Sequence, residues 1–84
     1  MKISHDPRYD IAYIRLQEKR AQTQVLTLKI SDEMNIDIAA DGSVYALELL
    51  NANEQLYRED KGKLFLVNEA TRQEKEIDLG LVAG

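Results

Sequence analysis

The sequence lacks the residues that several common kinds of functional site require. Its 84 residues include no cysteine, one histidine, one proline and four glycines. Without cysteine, disulfides and thiolate metal sites are excluded. The glycines are scattered and form no phosphate-binding loop, and no serine lies in a Gly-x-Ser-x-Gly motif. The familiar nucleotide-binding and hydrolase motifs are therefore missing, and no cofactor is expected.

Excess positive charge and long apolar runs are missing as well. Acidic residues number 15 and basic residues 11, which gives a net charge of -4. This balance argues against nucleic acid or an anionic membrane as a partner. The longest apolar runs have four residues, as at 11–14, whereas a membrane span needs about 20. No signal-peptide pattern follows the first methionine, so we expect a soluble, cytoplasmic protein.

The composition is that of one small globular domain. Hydrophobic residues make up 44% of the chain and charged residues 31%, as in folded proteins. A chain of this length leaves room for one domain, spanning residues 1–84. It buries only about 60–65% of its unfolded surface. A core of that size is worth a few kcal/mol, which makes a second subunit a reasonable source of further stability.

Alternation of apolar and polar residues predicts a strand-dominated α+β fold. The period-two pattern predicts strands at residues 2–5, 11–17, 24–31, 34–39 and 44–50. Asp41-Gly42 stands between two such runs and favours a two-residue type I′ turn. We therefore expect an antiparallel β-meander with an Asp-Gly hairpin and one short helix. The predicted cross-strand pairs are Ile38 with Tyr45, Ile36 with Leu47, and Met34 with Leu49.

The segment after residue 50 is predicted to begin with the short helix. Asn51 and Glu54 have the spacing of a capping box, and Gly62 can end the helix. Two interpretations of the remainder stay open. Residues 64–67 and 74–79 could pair as a hairpin that places Leu66 opposite Ile77, or residues 69–75 could be helical.

Two stretches together resemble one family. Residues 6–16 read DPRYDIAYIRL and residues 41–52 read DGSVYALELLNA. They are similar to the opening motif and the Asp-Gly hairpin of the small prokaryotic family called domain of unknown function 2283, over about residues 2–53. His5, Ala12 and Ala46 stand where that family often has tyrosine, leucine and glycine. The resemblance implies a compact β-rich domain and brings no known activity, substrate or catalytic residue.

Few residues suggest a chemical site. His5 precedes Asp6 and Asp10, and the three could form an acid–base or weak metal site. A catalytic zinc site usually has three protein ligands, so the simpler interpretation is that Asp6 caps the turn and His5 is a partly exposed strand residue. Asp37 and Glu48 lie on one predicted face and form a second candidate, for a cation. No residue is assigned as catalytic, cofactor-binding or metal-binding.

The second face of the predicted sheet is not cleanly polar, and this suggests a partner protein. One short helix can cover one face, so either residues 63–79 or a second subunit would cover the other. We expect a non-enzymatic association module that forms a homodimer or docks on another protein, with Tyr13 as an anchor. The alternative is a small-ligand or metal-dependent enzyme around His5, Asp6 and Asp10. The interface candidates are Ile11, Tyr13, Val25, Val44, Ala46 and Leu50.

Overall fold

A computed structural model describes residues 1–18 and 24–80 of the chain. The described residues form seven strands and one short helix, which confirms the strand-dominated α+β fold. The C-terminal segment is a hairpin, the first of its two interpretations. In chain order the elements are β1 (Lys2–Asp6), β2 (Ile11–Arg15), β3 (Val25–Ser31), β4 (Met34–Ala39), β5 (Val44–Leu50), α1 (Ala52–Tyr57), β6 (Lys63–Val67) and β7 (Glu74–Asp78).

The first five strands form one antiparallel sheet in the order β1-β2-β5-β4-β3. This differs from a simple meander, because β5 lies between β2 and β4 and leaves β3 at an edge. Tyr13 on β2 is therefore separated from β3 by two strands, β5 and β4. Several strands carry the same alternating pattern, so the pattern alone does not specify which of them pair.

One face of the sheet, here called the helix-side face, packs against α1. Cross-strand partners share a face, and this face carries Ala12 opposite Leu49 and Ile14 opposite Leu47. Ala12, Leu49 and Ala52 are its buried core. Since α1 has only six residues, it covers just this end of the sheet. Within the described ranges, no helix is both long and apolar enough to cross a bilayer.

The turn at Asp41-Gly42 is a three-residue loop, so the predicted type I′ turn is wrong. The Gly42 N–H donates to the Ala39 carbonyl, and the Ala39 N–H donates to the Ser43 carbonyl, both at 2.9 Å. Gly42 has a φ of 88°, whereas Asp41 has no positive φ. One left-handed residue after a tight turn is typical of a three-residue hairpin loop, while a type I′ turn needs two.

The hairpin register is partly as predicted. Ile36 lies opposite Leu47 and Met34 opposite Leu49, but Ile38 lies opposite Val44 because the register shifts after Asp37. The predicted pair of Ile38 with Tyr45 is therefore wrong. Since side chains alternate along a strand, the shift places Val44 on the helix-side face. Tyr45 lies on the opposite face and is only 6% exposed.

The β6–β7 hairpin also has a different register from the predicted one. Leu64 lies opposite Ile77, and Leu66 lies opposite Lys75. Asn68 sets this register, because its side-chain oxygen accepts the backbone N–H groups of Ala70 and Thr71. Such Asx turns compete with other local conformations. They explain why residues 69–72 form a loop and not part of a helix.

Candidate functional site

The single histidine belongs to a link between the β1–β2 turn and α1. His5 Nε2 lies 2.9 Å from Asp10 Oδ1, and the same oxygen accepts the Asn53 N–H at 2.9 Å. The Asp10 carbonyl accepts the Ala52 N–H at 2.9 Å. Asp10 therefore binds the first turn of the helix from another part of the chain. The His5 side chain is 9% exposed, and the residue as a whole is half-buried on β1.

This link replaces the predicted capping box. Asn51 has a left-handed backbone with a φ of 52° and makes no side-chain capping bond within the described chain. An N-cap residue normally has a β-region backbone, which aims its side chain at the free N–H groups. Because Asn51 lacks that backbone, the carboxylate of Asp10 takes the role. The capping-box prediction for Asn51 and Glu54 is wrong.

Asp6 does not join His5 and Asp10 in one cluster. Its carboxylate accepts the backbone N–H of Arg8 at 2.9 Å and the Arg8 guanidinium at 3.2 Å. The hydrogen bonds from Arg8 lower the pKa of Asp6, and the bond from His5 lowers that of Asp10. Among the described residues, no three acidic or histidine side chains converge as metal ligands would. Each of these groups has a structural task.

The opposite face of the sheet carries a polar network across three strands. The Tyr13 hydroxyl donates to Asp37 Oδ2 at 2.9 Å, and Thr27 Oγ1 donates to Asp37 Oδ1 at 2.6 Å. To reach Asp37, Tyr13 crosses β5 close to Ala46, which is wholly buried. Burial and the neighbouring carboxylate of Asp37 raise the pKa of Tyr13 to about 12. Both oxygens of Asp37 are engaged, which weakens its candidacy as a cation ligand with Glu48.

An open depression of about 470 Å³ lies on this same face. Lys2 and Arg15, which are cross-strand partners, border it together with Tyr13, Asp37 and Tyr45. Its walls carry both signs of charge. The described lining does not include His5, so the depression is not the pocket that the enzyme hypothesis needs.

The six predicted interface residues do not form one exposed apolar patch. Val44 lies on the helix-side face, and Ala46 is buried beneath the polar network. Tyr13 is held by Asp37. Ile11, Val25 and Leu50 are half-buried. Whether the face that carries Tyr13 contacts a partner stays a prediction.

A larger apolar surface lies on the helix-side face, at the end that α1 does not reach. We call it the uncovered strip. Leu26 is 63% exposed, Leu16 44%, Val44 38% and Leu28 37%, and half-buried Ile38 lies between Leu26 and Val44. The alternating sequence pattern could not predict this exposure, because it does not show how little of the face a six-residue helix covers. The strip consists of Leu16, Leu26, Leu28, Ile38 and Val44.

The comparison with known families agrees with the motifs at residues 6–16 and 41–52. The family model described as Protein of unknown function (DUF2283) matches residues 2–53. The chain belongs to the DUF2283 family. The DUF2283 match contains all five strands of the main sheet and both partners of the Asp10–Asn53 bond, while the β6–β7 hairpin lies outside it. No curated protein and no solved structure matches the chain at a significant level.

Proposed function

We propose that this DUF2283 chain is a non-enzymatic association module that forms a homodimer through the uncovered strip. The observation that carries the proposal is the amount of exposed surface. The chain exposes 6602 Å², whereas a compact folded chain of 9.6 kDa exposes about 5,100 Å². The excess is about 1,500 Å² per chain, and a standard interface buries about 800 Å² per partner.

The position of the strip supports the same proposal. Its most exposed member, Leu26, lies on β3, an edge strand whose outer hydrogen-bonding groups have no partner strand in the sheet. Leucine and valine side chains that lie together in the open are typical of interfaces. An exposed, apolar sheet edge also favours association with another chain. A second copy with the same strip satisfies the requirement of a two-fold dimer, in which each subunit contributes the same surface.

Light scattering during gel filtration tests the proposal on the full chain. We expect wild type to have twice the 9.6 kDa of one chain. The informative variants are Leu26→Glu and Val25→Glu, because adjacent residues on a strand point to opposite faces. Leu26→Glu should give a folded monomer, since dimerisation would bury an unpaired charge. Val25→Glu is the matched control and should stay dimeric, with far-UV circular dichroism reporting that both variants are folded.

Two outcomes contradict the proposal. Wild type that remains monomeric at about millimolar concentration, where even a weak dimer of −4 kcal/mol forms, would end the homodimer proposal. If Val25→Glu splits the dimer and Leu26→Glu does not, the interface is the face that carries Tyr13. The strip is then not the contact surface.

A further inference from the structure

Within residues 1–18 and 24–80, the β6–β7 hairpin has almost no surface of the same chain to pack against. Every residue of Lys63–Val67 and of Glu74–Asp78 is exposed. Three backbone hydrogen bonds hold its base: the Gly62 N–H donates to the Leu56 carbonyl and the Leu79 N–H to the Gly62 carbonyl, each at 3.0 Å, and the Lys63 N–H donates to the Asp60 carbonyl at 3.1 Å. An isolated two-stranded hairpin is at best marginally stable in water. This hairpin therefore needs a surface that the single chain does not supply.

The two sides of the hairpin differ in character. Leu64, Leu66 and Ile77 lie on one side, which we call the apolar side, with Lys75 as its only charge. The other side carries Phe65 and Val67 among charged residues, including the Lys63–Glu76 ion pair at 3.1 Å. Burial of the apolar side is the more favourable, because it removes apolar surface from water and desolvates fewer charged groups. It has the chemistry to cover another apolar surface.

The uncovered strip has the matching chemistry but lies at the other end of the sheet from the helix. It adjoins the turn between β4 and β5, whereas α1 begins where β5 ends. The hairpin starts beyond the last turn of α1, with buried Gly62 against the Tyr57 ring. Those base contacts attach the hairpin to the end of α1 and not to the uncovered strip. The radius of gyration is 14.5 Å, against about 12 Å for a compact chain of this length.

We infer that two copies of this chain exchange their hairpins, so that the apolar side of each hairpin covers the uncovered strip of the other copy. The inference rests on the proposed homodimer and names the surfaces that meet in it. Exchange under two-fold symmetry places two equal contacts in the dimer. It buries the uncovered strip and the apolar side of the hairpin together. No bond at the base of the hairpin has to break for the two copies to meet.

The first test compares two neighbouring residues of β6. Leu66 is 63% exposed and Val67 46%, and they point to opposite sides of the hairpin, so neither substitution removes a core contact of the monomer. Leu66→Glu should raise the dimer dissociation constant by about tenfold or more, because the charge meets an apolar surface twice per dimer. Val67→Glu, the matched control, should change it by less than about threefold. Sedimentation equilibrium measures both constants.

The second test uses the absence of cysteine in the native chain. Copies with Leu26→Cys or Leu28→Cys are mixed with copies carrying Leu64→Cys or Leu66→Cys, and the mixtures are oxidised. A disulfide needs Cβ atoms about 4 Å apart, so several pairings are tried. Hairpin exchange predicts a cross-linked heterodimer on a non-reducing gel for at least one pairing. Val25→Cys mixed with Leu66→Cys should give none.

The outcomes separate this inference from the proposed function. If wild type is a dimer but Leu66→Glu stays a dimer and no pairing cross-links, the strips contact each other directly and the exchange is wrong. If Val67→Glu splits the dimer and Leu66→Glu does not, the charged side of the hairpin is the contact, which also overturns the exchange. A monomeric wild type overturns both proposals.

Discussion

Tyr13→Phe should change how the stability of the protein depends on alkaline pH. The substitution keeps the ring over β5 and removes only the hydroxyl that donates to Asp37. Near neutral pH we expect a loss of about 1–2 kcal/mol, because Asp37 keeps the bond from Thr27 and loses one of two donors. The pKa of Tyr13 is raised to about 12, so at neutral pH the folded state holds the neutral phenol.

The direction of the alkaline effect follows from this shift. An exposed tyrosine in the unfolded chain has a pKa of about 10. Because the folded pKa is higher, the contribution of Tyr13 is fully present below pH 10 and is lost as the pH rises to about 12. At pH 11 the loss amounts to about 1.4 kcal/mol for a two-unit shift. The ring is half-buried, so solvent screening makes this an upper value.

Urea unfolding at pH 8 and pH 11, followed by circular dichroism, measures the difference. The protein concentration must be the same throughout, since the stability of a dimer depends on it. Wild type should lose its advantage over Tyr13→Phe as the pH rises, whereas Tyr9→Phe, at a position 71% exposed, should follow wild type. A constant difference between wild type and Tyr13→Phe would refute the reasoning. The hydroxyl would then not be held in a buried bond to Asp37.

Two further predictions concern the turns. Gly42→Val should lower the free energy of unfolding by at least about 1 kcal/mol, because a β-branched residue resists a φ of 88°; Gly42→Asn should cost less, and an unchanged melting temperature for the valine variant would contradict the left-handed turn. The second prediction concerns Asp10, whose pKa is lowered by the bond from His5. The Asp10 carboxylate therefore contributes to the stability of the folded state above about pH 4, and this contribution is lost as the pH falls further. Asp10→Asn should keep the bond to the Asn53 N–H, and its melting temperature should fall less below pH 4 than that of wild type. An equally steep fall in melting temperature would show that Asp10 is not responsible.

The strands could be predicted from the sequence because their signal is local. Alternation in Met34–Ala39 and in Val44–Leu50 reflects side chains that point to two faces, and each strand was predicted with nearly its observed bounds. The helix cap could not be predicted in the same way. Asp10 binds the Asn53 N–H from 43 residues away, whereas a capping box is sought within four residues. The nearby pattern at Asn51 therefore suggested a local cap that the chain does not use.

The candidate surface was harder to predict because it depends on a single residue of register. A two-residue turn at Asp41-Gly42 keeps Val44 on the face of Tyr13, where it was one of the six predicted interface residues. The observed three-residue loop and the register shift that follows it exchange the faces of Val44 and Tyr45. A shift of one residue moves a side chain to the other side of a sheet, so it added Val44 to the strip and Tyr45 to the face that carries Tyr13. Predicting the interface from the sequence therefore required the geometry of one turn. An Asp-Gly sequence is compatible with more than one type of hairpin turn, so the sequence alone did not determine that geometry.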